Sequence, residues 1–308
     1  MGLLGGSLLK VARLRAGLTQ RDLAERLALP QSSIARWESG ARQPTIDNLV
    51  EAVRACGLDP VVSLFATDRS NDAFIWDLLD EAPAERLRRF VAAANETRPM
   101  VRHEAAQRAG RRTAPTIAAF DPLPVLRALH EGGVQFLLVG RLAEVVRGSP
   151  LVPQAEVAVC VESSEPNRAR FRAAVQGLGA TRWTEDDEQP DETPFQLRQF
   201  PRARRWWNDS LGGALASLDV PPGTDGFWDL IRQADQPDLD RELTVPVASH
   251  LDLIRMADAS IDAADRSGLP TLVRALEFSQ DYLPPEDRPL SVPEGLEGLF
   301  AEHGLTAS

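Results

Sequence analysis

The chain has only two cysteines in 308 residues, Cys56 and Cys160. Two thiols give neither a disulfide framework nor a thiolate metal cluster. The four histidines, His103, His130, His250 and His303, are scattered without the spacing that a metal site needs. Long apolar runs are also missing. None approaches the roughly 20 residues that cross a bilayer, so no membrane partner is expected. The opening residues are broken by Gly and Ser and lead straight into a charged amphipathic segment, unlike a signal peptide. A cytoplasmic location is the resulting expectation. No Ser, His and Asp arrangement marks a hydrolase. Lysine is nearly absent, since Lys10 is the only lysine among 34 basic residues. With abundant alanine, this bias points to GC-rich bacterial coding rather than to a function.

What is present is an ordinary globular composition, 43% hydrophobic and 26% charged, in a chain long enough for two domains. The net charge of −11 argues against a protein that coats nucleic acid over its whole surface. Charge is uneven, however. Residues 1–66 carry eight basic against six acidic residues, about +2, so the acidity lies elsewhere.

Residues 1–66 read as a small all-α domain. Leu8, Val11, Ala12 and Leu14 give a first helix one apolar stripe, and Gly17 ends it. Thr19 is a good N-cap, and Asp22 three residues on completes a capping-box pattern. Leu23, Ala24 and Leu27 form the inner face of helix two. Pro30 suits the first turn of helix three, where its missing N–H costs nothing. Ile34 and Trp37 anchor that helix, and Gly40 stops it. A fourth helix starts at Pro44-Thr45 with Leu49, Val50 and Val53 inward, and a short fifth is expected near Val61–Phe65.

Gly17-Leu18-Thr19-Gln20, Leu23-Ala24, Ser33-Ile34, Trp37-Glu38-Ser39-Gly40 and Pro44 recur at the spacing of the Cro/C1-type helix-turn-helix family, also called the xenobiotic-response-element family. Residues 8–57 resemble that family. The resemblance implies double-stranded DNA as the partner, with the helix beginning near Pro30 in the major groove. It turns Gln31, Ser32 and Arg36 toward base edges, with Ser33 on the same DNA-binding face. Gln can bond adenine bidentately, and Arg can bond guanine O6 and N7. Gln20 and Arg42 take phosphate-contact positions, Gln20 beside the exposed N–H groups of a helix start. Arg13 and Glu38 match positions that form an internal ion pair in some relatives and are read as structural. Such domains bind as homodimers to two half-sites about one turn apart. The alternative is a helical bundle that serves only protein contacts.

Residues 67–118 read as a helical linker. Phe74, Trp76, Leu78 and Leu79 share one amphipathic stretch, and Pro83 opens a longer helix with Leu87, Phe90 and Val91 inward. Arg98, Arg102, Arg108, Arg111 and Arg112 read as a solvated face, with flanking DNA phosphates as the other reading. The 110–115 stretch is the expected flexible point.

Residues 119–283 read as an α/β domain, with 284–308 as a tail rich in Pro, Gly and acid. A helix at 123–131 precedes a buried strand, 134–140, ending at Gly140. A helix at 142–147, a strand at 156–161 and a helix at 166–178 follow, then short strands up to 247. The strand into Val139-Gly140, Gly148, the paired strand, Gly213-Ala214-Leu215, Pro222-Gly223 and the 245–254 segment resemble the nucleotidyltransferase superfamily. The likeness is to the minimal group of bacterial antitoxin and toxin systems. The whole is therefore a multidomain chain, an all-α helix-turn-helix domain joined by a helical linker to an α/β nucleotidyltransferase-like domain.

Active members need Gly-Gly or Gly-Ser after the first strand, so that backbone N–H groups can approach a triphosphate. Here the pair is Gly140-Arg141. They also need carboxylates at alternate strand positions to hold Mg²⁺. Those positions carry Glu156 and Ala158, and a third aligns with Ala216, near Asp219. One carboxylate of three cannot organise two metal ions, so no catalytic residue, metal or cofactor is assigned. The expectation is a pseudoenzyme kept as a sensor of a small-molecule or nucleotide ligand, or as a body for a protein partner or self-association. Gly140, Arg141 and Glu156 form its candidate ligand cleft, where Arg141 either holds an anion or closes the old pocket. The alternatives are an active nucleotidyltransferase with a DNA-targeting domain, or an antitoxin that binds a toxin and represses its own operon. In the active reading, Glu156, Asp219 and one of Glu185, Asp186 or Asp187 rebuild a metal site. Otherwise the 185–192 acids are a solvated loop. Trp206-Trp207 after Arg202, Arg204 and Arg205 either pack or stack on bases.

Overall fold

A computed structural model describes residues 4–58, 60, 71–108, 118–150, 155–183, 203–208, 212–260 and 268–281. Two compact units divide the chain, the first centred on residues 1–68 and the second on 69–275.

In the first unit, α1 (Leu4–Arg15), α2 (Gln20–Arg26), α3 (Gln31–Glu38) and α4 (Ile46–Ala55) surround one core. Leu9, Ala12, Leu23, Ala24, Ile34, Trp37, Ala52, Val53 and Cys56 fill it. The stripe on α1 is rotated from the sequence expectation. Leu9 and Ala12 are buried and Leu8 is 43% exposed. The rotation follows from Arg13, which takes an inward position because Glu38 neutralises it there. Gly6 lets α1 approach α3 closely, since a Cβ there would lie 2.0 Å from the Trp37 carbonyl oxygen. The expected capping box forms. Thr19 Oγ1 accepts from the Asp22 N–H at 3.1 Å, and the Thr19 N–H donates to the Asp22 carboxylate at 2.8 Å. Pro30 sits at the N-cap of α3 rather than inside its first turn. The expected helix at 61–65 lies outside the described residues.

The stretch read as a linker is helical, and from residue 69 on it belongs to the second unit. α5 (Asp72–Asp80) and α6 (Pro83–Arg108) bury Ile75, Leu78, Leu79, Leu87, Phe90 and Ala94. Asn95 on α6 clamps the chain at Phe120, donating to its carbonyl at 2.9 Å and accepting from its N–H at 2.7 Å. Arg86 donates to the Val146 carbonyl. Of the amphipathic stretch, Leu78 and Leu79 are buried while Phe74 and Trp76 are 40% and 39% exposed. Ile75 takes the inward position, and Arg89 lies over the Phe74 ring at 4.8 Å. The side chains of Arg98, Arg102, Arg108, Arg111 and Arg112, and the 110–115 stretch, lie outside the described residues.

The sheet is built from β1 (Phe136–Val139), β2 (Glu156–Val161), β3 (Thr181–Trp183), β4 (Arg204–Asn208) and β5 (Gly213–Leu218). Its order is β1-β2-β5-β4-β3, with β2 and β5 parallel and the other pairs antiparallel. Strands β1, β2 and β5 are buried along their whole length, as their continuous apolar runs require. α7 (Leu123–Glu131) precedes β1, α8 (Gly140–Val146) follows it, and α9 (Glu165–Gly177) follows β2. The helix expected at 142–147 thus begins at Gly140 itself, directly on the strand end. Gly140 takes φ +68°, a backbone conformation open to glycine.

Beyond the sheet come α10 (Phe227–Leu230), a small ribbon of β6 (Asp238–Asp240) and β7 (Leu243–Thr244), α11 (His250–Ala259) and α12 (Leu269–Asp281). Residues 245–248 run beside β1, the Leu138 N–H donating to the Pro246 carbonyl at 2.8 Å. Arg147 ties this segment down, donating to the carbonyls of Val247 and Ala248 at 2.8 Å and to Asp235 at 2.7 Å. The expected tail, 284–308, lies outside the described residues.

Candidate nucleic-acid interface

The turn between α2 and α3 brings the predicted residues together. Gln20 is the first residue of α2 and Gln31 the first of α3, and the Gln31 side-chain amide donates to Gln20 Oε1 at 2.9 Å. Gln20 in turn donates from Nε2 to Glu38 Oε2 at 2.9 Å. Glu38 also receives Arg13 through two bonds, 2.6 and 2.9 Å. A continuous chain of hydrogen bonds therefore runs from a buried arginine on α1 to the exposed start of α3. It fixes the Gln31 side chain before any ligand arrives, which lowers the ordering entropy lost on binding.

Gln31, Ser32 and Arg36 are exposed on α3. Arg36 Nε donates to the Ser32 carbonyl at 3.1 Å, one turn back, which sets the direction of the guanidinium without using its terminal nitrogens. Ser33 is half-buried, and its N–H donates to the Pro30 carbonyl at 2.8 Å. Arg42 is exposed just beyond α3, where its backbone N–H donates to the Arg36 carbonyl at 3.0 Å. The exposed face thus carries two amide or hydroxyl groups and two guanidiniums above an apolar anchor of Ile34 and Trp37. Such a set can bond base edges and phosphates at once. The links Gln31–Gln20 and Gln20–Glu38 are not visible as a sequence pattern. Their one signal is that each residue sits at a helix end, where turn geometry brings the ends together.

In the second unit the three residues of the expected cleft are all buried. Arg141 is 7% exposed and pairs with Glu144 at 3.0 Å. Of its two readings, closing the turn fits this burial, and holding an outside anion does not. Glu156 Oε2 accepts from Arg205 Nε at 3.0 Å, with both side chains buried. Burial pushes the Glu156 carboxyl up, against the pull of Arg205. Ala158 and Ala216 lie opposite each other on the paired strands β2 and β5. Arg205, opposite Ala216 on β4, occupies the same face as Glu156.

Asp219 is elsewhere. Its carboxylate meets Arg168 of α9 at 3.3 Å and Arg204 of β4 at 3.2 Å, on the opposite side of the sheet from Glu156. The two acids therefore cannot share a metal ion, and the rebuilt metal site loses its central pair. Glu185, Asp186, Asp187 and Arg202 lie outside the described residues. Trp206 packs edge-to-face on Phe171 with ring centroids 5.2 Å apart, which holds its ring in place while the side chain stays half-buried.

The geometry of α2 and α3 defines a helix-turn-helix. A family model described as helix-turn-helix matches residues 9–62, which supports a DNA-binding transcription regulator. No curated protein matches the chain. Among the described residues, no helix is long and apolar enough to cross a membrane.

Proposed function

We propose that the protein is a sequence-specific transcription regulator that places α3 in the major groove as a homodimer. Gln31, Ser32 and Arg36 read base edges, while Gln20, Ser33 and Arg42 hold the backbone. The observation that carries this reading is the hydrogen-bonded chain Arg13–Glu38–Gln20–Gln31, which presents a recognition helix with its first side chain already oriented. Its test is binding to the DNA upstream of the protein's own gene. Gln31→Ala and Arg36→Ala should each lose about 1–3 kcal/mol of binding free energy, the cost of one bidentate base contact. Parent-like affinity in both variants contradicts the assignment.

The second unit, in this reading, is a nucleotidyltransferase-like body that no longer transfers nucleotides and modulates DNA binding through a ligand, a partner or self-association. The sheet supports the likeness, with β1 antiparallel to β2, β2 parallel to β5, and helices after β1 and β2. The loss of chemistry is supported by Ala158, Ala216 and the engagement of Glu156 with Arg205. Incubation with labelled NTPs and Mg²⁺ should leave no Glu156-dependent label on any protein or RNA.

A further inference from the structure

One open cavity lies on the α9 side of the sheet, away from Glu156. Its volume is about 330 Å³, and four arginines line it: Arg168 and Arg172 from α9, Arg182 from β3 and Arg204 from β4. The cross-strand register explains the gathering. Arg204 lies opposite Ser217 on β5, and Arg182 lies opposite Trp206, so all three strands turn these residues to one face. Arg168 and Arg172 are one helical turn apart and so share one side of α9.

Among the described residues, opposite charge is scarce there. Asp219 sits between Arg168 and Arg204, and Glu165 holds Arg172 at 2.6 Å from an exposed position. Four arginines less two carboxylates leave two positive charges unmatched among the described residues. Arg182 is exposed with no carboxylate beside it among the described residues. A concave surplus of positive charge concentrates anions.

Guanidiniums match phosphate oxygens with paired N–H groups. The cavity volume is at the low end for small-molecule sites, roughly 300–1,000 Å³, and far too small for a duplex. Trp206 adds a half-buried indole wall, fixed by its contact with Phe171. We infer that this pocket binds a nucleotide, its phosphates on the arginines and its base against Trp206. The site is separate from the Glu156 face. It gives the sensing role proposed above a location, yet the binding itself stands without that role.

The test is calorimetric titration of the full chain with ADP and, separately, with inorganic pyrophosphate, at about physiological salt. The expected result is saturable binding of one ADP per chain, with pyrophosphate weaker. Arg182→Ser and Arg204→Ser should each weaken ADP by roughly tenfold or more, since each removes a charged hydrogen bond. Arg182 is exposed on its strand, so its variant should keep the parent's circular dichroism. Arg241→Ser, exposed outside the pocket, should bind like the parent. No saturable ADP binding, or ADP binding unchanged in Arg182→Ser, overturns the site. Pyrophosphate binding as tightly as ADP overturns the nucleotide assignment. The titration contains no DNA, so its outcome is separate from that of the DNA-binding reading.

Discussion

Arg13 and Glu38 meet in a two-pronged ion pair, Nε to Oε1 at 2.6 Å and Nη2 to Oε2 at 2.9 Å, with side chains 9% and 4% exposed. The pair joins α1 to the end of α3, and Arg13 also donates to the Leu18 carbonyl at 2.8 Å. Glu38 is thus a hub: it neutralises a buried cation and anchors Gln20. Glu38→Ala leaves Arg13 buried without its counter-charge. The expected loss is about 3–5 kcal/mol in the first unit, read by faster hydrogen exchange at the amides of α3. A variant with parent-like protection shows that the pair does not hold the helices.

Gln20→Ala separates positioning from folding. The Gln20 side chain ties Gln31 to Glu38 from a half-buried position, so its removal should change stability by about 1 kcal/mol or less. DNA affinity should fall in addition, because Gln31 loses its fixed direction as well as a phosphate neighbour. Equal DNA affinity in parent and variant shows that the Gln20–Gln31 bond does no positioning.

Glu156 and Arg205 form a buried pair that joins β2 to β4 in the second unit. Arg205→Leu strands a buried carboxylate and should cost about 3–5 kcal/mol, whereas the double replacement Glu156→Leu with Arg205→Leu should fall near the parent. The pH dependence carries a sign. The Glu156 carboxyl is raised by burial, so the folded chain binds a proton more readily than the unfolded one. Its contribution to stability is greatest in acid and declines as pH rises through the window above the ordinary carboxylate value. Denaturation midpoints of the parent and the double variant between pH 4 and pH 8 check this. Their difference should move in the double variant's favour as pH rises.

His250 gives a second pH effect of opposite direction. Its ring Nε2 lies 2.8 Å from the Arg147 carbonyl, a bond that a neutral imidazole donates. Burial, reinforced by the Arg147 charge, lowers its pKa to about 3, with Arg86 acting the same way and Asp235 opposing. Between that value and the unfolded value of 6.5, the unfolded chain binds the extra proton, so stability falls as pH falls. At pH 5 the expected cost is about 2 kcal/mol relative to neutral pH. His250→Gln, which can still donate to the carbonyl, should lose that part of the pH dependence. An unchanged profile contradicts it.

The first unit was readable where local chemistry decides structure. Thr19 and Asp22 announce a cap, and Gln31 to Glu38 form the expected recognition helix between Pro30 and Gly40. The α1 stripe was misplaced because Arg13 counts as polar in a periodicity argument, yet sits inside on an ion pair. In the second unit, the apolar runs at 134–140 and 156–161 locate the strands, which form over 136–139 and 156–161. The packing of α5 and α6 was not readable, because it depends on contacts such as Asn95 with Phe120, 25 residues away. The same limit hid the arginine pocket. Its residues come from α9, β3 and β4, and only cross-strand register gathers them.

The central claim is that α3 reads bases, and one measurement separates that from mere phosphate contact. A preferred duplex is selected from randomised sequence with the full chain. Parent and Arg36→Ala are then titrated on that duplex and on every single base-pair change within it. The predicted result is that the parent loses about 1–3 kcal/mol at each contacted pair, and that Arg36→Ala loses discrimination at one guanine-containing pair while keeping the rest. If Arg36→Ala shows the parent's preferences at every position and differs only by a uniform drop in affinity, Arg36 contacts phosphate alone and the recognition-helix account is contradicted.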